Sequence, residues 1–95
     1  MTIHVTQKHI DVANAWLQSL GFDLYHWNSR MNCIALAIQS SAKVQVEVYT
    51  DAIIIHSSTY ESCRVPMCVY KAILERRQHG FVPFSFELDL RKVWQ

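Results

Sequence analysis

The sequence predicts a small single α+β domain, an antiparallel β-meander of four to five strands with two helices packed on one face. Three observations carry that expectation. Apolar residues recur at three- and four-residue spacing over 7–20 and again over 66–79, the period of an amphipathic helix. Residues 22–56 between them break into short apolar runs and alternations separated by turn residues, the pattern of strands at hairpin spacing. Near the chain end, Phe84-Ser85-Phe86-Glu87-Leu88-Asp89-Leu90-Arg91 alternates without interruption, with one apolar and one polar face.

Taken in order, Ile3 and Val5 alternate with polar neighbours and suggest a short first strand. The first helix follows, with Ile10, Ala13, Leu17 and Leu20 on one stripe, Val12 and Trp16 widening it, and Thr6 as N-cap. Gly21 then Phe22 is the pattern of a left-handed C-cap. Strands are expected at 22–27, at 33–39 (Ile34, Leu36 and Ile38 alternating with small residues), at 43–49 (three valines on one face) and at 52–56. Asn28–Asn32, Ser40–Ala42 and Thr50-Asp51 supply the turns, and 57–65 reads as a polar connection. Pro66 suits the start of the second helix, whose buried face is Val69, Tyr70, Ile73 and Leu74. Arg76, Arg77 and His79 complement its dipole, and Gly80 ends it. Pro83 fits a strand start or an edge. The expected core is Ile10, Leu17, Leu20, Leu24, Ile34, Leu36, Ile38, Val44, Val46, Val48, Ile53, Ile55, Val69, Ile73, Phe84 and Phe86.

Composition narrows the functional classes. The 95 residues suit one domain with one core. At 51% hydrophobic and 18% charged, the chain has more apolar surface than such a core hides, which points to a partner surface. A net charge of +1 does not argue for nucleic acid by bulk electrostatics. The N-terminus shows no signal or transit pattern, and no apolar stretch is long enough to span a bilayer. The three cysteines, Cys33, Cys63 and Cys68, therefore read as reduced thiols in a cytoplasmic protein.

Reactive motifs are scarce. Cys63 and Cys68, with His56 and His79 on either side, lack the pair spacing of a zinc site. Cys33 reads as core, and His26 and His56 as hydrogen-bonded packing. Two glycines leave no phosphate-cradling loop, and no nucleophile, metalloprotease or paired-carboxylate motif is present. The expectation is a non-enzyme without cofactor or metal.

Two binding readings follow. In the first, the C-terminal strand and tail dock on a larger protein or complex, adding main-chain hydrogen bonds at an open edge. Its residues are Glu87, Asp89, Arg91, Lys92, Val93 and Trp94. This describes a monomeric or homodimeric accessory protein or inhibitor, of the kind phages and mobile elements direct at host enzymes. In the second, Tyr25, Trp27, Arg30, Lys43 and Tyr49 form an aromatic and basic sheet face that stacks single-stranded nucleic acid.

Overall fold

Thr2–Val5 forms β1, and the chain turns directly into helix α1, Gln7–Ser19. Thr6 caps α1 as expected. Its hydroxyl accepts from the His9 N–H, and His9 Nδ1 accepts from the Thr6 N–H at 3.1 Å, a capping box with histidine in the usual acidic place. At the other end the Gly21 N–H bonds the Gln18 carbonyl and the Phe22 N–H bonds the Leu17 carbonyl, with Gly21 at φ 81. This is the expected left-handed stop. The structure, a computed structural model, describes residues 1–23, 26–56 and 60–88, and only the backbone at Tyr60 and Glu61.

From residue 22 the structure departs from a single meander. Phe22, Asp23, His26 and Trp27 are in no strand, and Leu24 and Tyr25 lie outside the described residues. The strand expected at 33–39 is instead a helix, α2, Cys33–Ala42. Large residues at 34, 36 and 38 imitate a two-residue period, but the intervening alanines are strong helix formers. Asn32 supplies the cap, its Oδ1 accepting from the Ala35 N–H at 2.8 Å. Cys33, Ile34, Ala35, Ala37 and Ile38 are all buried, because α2 is central and packs against α1, β1 and the next strand. Ser40–Ala42 continue the helix, and the chain turns at Lys43, a left-handed C-cap at φ 59.

Gln45–Val48 (β2) and Ala52–His56 (β3) form the expected hairpin around Thr50-Asp51, closed by the Tyr49 N–H to the Ala52 carbonyl. Lys43 and Tyr49 thus fall just outside β2. The expected polar connection contains a strand, β4, Tyr60–Arg64, paired antiparallel with β3 from Ala52↔Arg64 to His56↔Tyr60. Helix α3, Met67–His79, follows Pro66 and ends at Gly80. Phe84–Glu87 forms β5, which pairs with β1 rather than with the meander.

Among the described residues the architecture is α+β with three helices and two antiparallel sheets, β1–β5 and β2–β3–β4. One core joins both sheets to all three helices. Ile3, Val5 and Phe86 meet Ile10 and Ala13 of α1, Ile34 and Ile38 of α2, the inner faces of β2 and β3, and Val69 and Ile73 of α3. Leu36, Val44 and Phe84 are only partly buried against it. Leu20 is a correction: it lies past the last turn of α1 and is 55% exposed. No helix among the described residues is long and apolar enough to cross a membrane.

Candidate docking surface

Helix α3 carries an apolar arc wider than the part its core buries. Val69 and Ile73, one turn apart, are fully buried. Tyr70 and Leu74, expected among the buried residues, flank that face and are 41% and 53% exposed. With Met67, 77% exposed, they fall within an arc of roughly 60° at 100° per residue, a continuous outer stripe. Sequence spacing could not separate the exposed edge of this arc from its buried part, because both repeat at three or four residues. A shallow depression lined by Thr50, Asp51, Arg64 and Val65 adjoins the stripe at Met67 and Tyr70. A second apolar row lies on α1, where Val12, Trp16 and Leu20 recur every four residues and Phe22 follows.

The β1–β5 ribbon carries the expected docking strand. The Leu88 N–H bonds the Met1 carbonyl at 2.9 Å, and the Met1 amine bonds the Leu88 carbonyl at 3.1 Å. That reciprocal pair sets the phase of the antiparallel ladder, so Ile3↔Phe86 and Val5↔Phe84 are the next hydrogen-bonded pairs. Thr2↔Glu87 and His4↔Ser85 are the alternate pairs, whose backbone groups point away from the ribbon. Their side chains meet on the polar face, as close non-hydrogen-bonded pairs do. The Thr2 hydroxyl donates to Glu87, and His4 Nδ1 lies 2.7 Å from Ser85 Oγ. Glu87 also sits 3.7 Å from the Met1 amine. Asp89, Arg91, Lys92, Val93 and Trp94, the remainder of that surface, lie outside the described residues.

The residues of the nucleic-acid reading are dispersed. Trp27 donates from Nε1 to the Val48 carbonyl, its ring lies 6.1 Å from that of Phe81, and the Arg76 guanidinium stands 5.4 Å from its centroid. Trp27 therefore packs beneath α3. Arg30 and Tyr49 are brought together, but on a carboxylate: Glu47 Oε1 accepts from Arg30 Nε at 3.4 Å and from the Tyr49 hydroxyl at 3.1 Å. His56 Nε2 lies 2.7 Å from Glu47 Oε2. The His56 hydrogen bond, helped by those of Tyr49 and Arg30 and opposed by burial, holds the Glu47 carboxyl below its ordinary value of 4.5. Lys43 stands apart at the end of α2, and Tyr25 lies outside the described residues.

The cysteines are free. Burial in α2 pushes the Cys33 thiol up to about 12, and partial burial raises Cys63, while Cys68 is exposed on the first turn of α3. Among the described residues, no three His, Cys, Asp or Glu side chains group so as to hold a metal ion. No family model matches the chain, and no match is found among curated proteins or solved structures.

Proposed function

We propose that the protein is a non-enzymatic binding module that docks on a larger protein or complex, as an accessory protein or inhibitor does. The observation that carries this reading is the exposed edge of the wide apolar arc of α3. A helix that buries Val69 and Ile73 and also presents Met67, Tyr70 and Leu74 to solvent carries more apolar surface than its own core uses. An aromatic and a leucine within a contiguous apolar stripe suit the buried centre of a protein interface. The sequence adds the tail to this reading, since Arg91 and Trp94 are residue types enriched at interface hot spots.

The test is affinity capture with three forms of the protein: wild type, the double variant Tyr70→Ser/Leu74→Ser, and a chain lacking residues 91–95. The reading expects a stoichiometric protein partner on wild type, its loss on the double variant and weaker retention on the truncated chain, with thermal midpoints nearly unchanged. Equal capture by wild type and double variant contradicts the role of α3. Full capture by the truncated chain contradicts the role of the tail.

A further inference from the structure

We infer that the groove between α3 and β5 receives an extended polypeptide segment, added as a strand to the outer edge of β5. The inference rests on the reading of the protein as a docking module and specifies the chemistry of what docks. On the β5 side the groove is lined by Val82, Phe84 and Ser85, and on the helix side chiefly by Ala72, Glu75 and His79.

The ladder phase dictates the occupant. Because Met1 and Leu88 form a reciprocal pair, the N–H and C=O of Ser85 and Glu87 face away from β1. They form no hydrogen bond to another described residue. Such a row of donors and acceptors is matched by another main chain about 4.8 Å away. A helix in the groove would leave these groups unpaired and needs roughly 8–10 Å between axes. An added strand satisfies them and alternates its side chains. Every second residue then faces the Phe84 side of the groove, while the others lie beside Ser85 and Glu87 on the polar face.

The helix wall indicates which side chains fit. Glu75 has neighbours on its own helix, Lys71 Nζ at 4.0 Å and His79 Nε2 at 3.6 Å. The wall has no strong preference for an ionic ligand, and Phe84, Val82 and Ala72 favour apolar or β-branched residues at the inward positions. The ligand class is thus a short extended peptide segment with apolar residues at alternate positions.

The test uses the full chain and a phage-displayed random dodecapeptide library, with the selected peptides synthesised and their affinities read by fluorescence anisotropy. Strand addition predicts alternation in the peptide backbone: N-methylation of every second amide abolishes binding, and methylation of the intervening amides leaves it intact. Ser85→Pro removes an outward N–H without breaking a β1–β5 hydrogen bond, a place where an edge strand tolerates proline. It should weaken binding roughly tenfold, through one lost hydrogen bond and a peptide carbonyl left unsatisfied. Ala72→Glu, which leaves the strand untouched and places a carboxylate in the groove, should weaken it as well. A library without binders, or binders indifferent to Ser85→Pro and to alternate methylation, overturns the inference. In either case, loss of protein capture by the Tyr70→Ser/Leu74→Ser variant leaves the docking reading standing on its own.

Discussion

His56 and Glu47 meet diagonally across the β2–β3 hairpin, with imidazole Nε2 2.7 Å from the carboxylate. The carboxylate is 15% exposed, and it gathers Arg30 from the preceding loop and Tyr49 from the hairpin turn. A single acid thereby ties the α2 approach to the outer face of the larger sheet.

The pH dependence of this tie has a definite sign. Glu47 binds its proton less readily folded than unfolded, so its ionised form stabilises the fold above the ordinary value of 4.5. That stabilisation is lost as pH falls through the lower folded value. Glu47→Gln should therefore lower the thermal midpoint at neutral pH, with the gap from wild type closing on acidification below the ordinary carboxylate range. A gap independent of pH would show that the ionised carboxylate is not what stabilises.

Asn32 is a buried polar residue with every role filled. Its Oδ1 accepts from the Ala35 N–H, and its Nδ2 donates to the carbonyls of Asn28 and Ser29 at 2.8 and 2.9 Å. Asn32→Ala removes the cap of the central helix and two donors to the loop that precedes it. The expected cost is about 2–3 kcal/mol by denaturant unfolding. Asn32→Asp keeps the acceptor but loses the donors, and should recover only part of that loss.

Thiol chemistry should resolve three rates. In the native protein, Cys68 should react with an aromatic disulfide reagent first and Cys63 more slowly, because only Cys68 is exposed. Cys33, buried and with its thiol pushed up to about 12, should react only as fast as the protein unfolds. Fast modification of Cys33 would contradict its place in the core.

Some of this was legible in the residues. Helix α1 could be read because its cap, stripe and glycine stop agree, and β2–β3 because three valines alternate before a two-residue turn. Helix α2 was not, since large residues at 34, 36 and 38 satisfy a strand period while the alanines between them satisfy a helix. Strand β4 lacks apolar alternation and is specified by pairing with β3. The β1–β5 partnership spans nearly the whole chain and is registered through Met1 and Leu88, which no local pattern announces. At the candidate surface, spacing identified Tyr70 and Leu74 as a helical face but assigned them to the core. The Glu47–His56 contact depends on the hairpin register, so it becomes legible only once Thr50-Asp51 is placed as the turn.

The most direct measurement of protein docking is affinity capture from native-source lysate divided into nuclease-treated and untreated halves. A docking module retains a stoichiometric protein partner in both halves and loses it when Tyr70→Ser/Leu74→Ser is the bait. Recovery of nucleic acid, with every bound protein lost after nuclease, would contradict it.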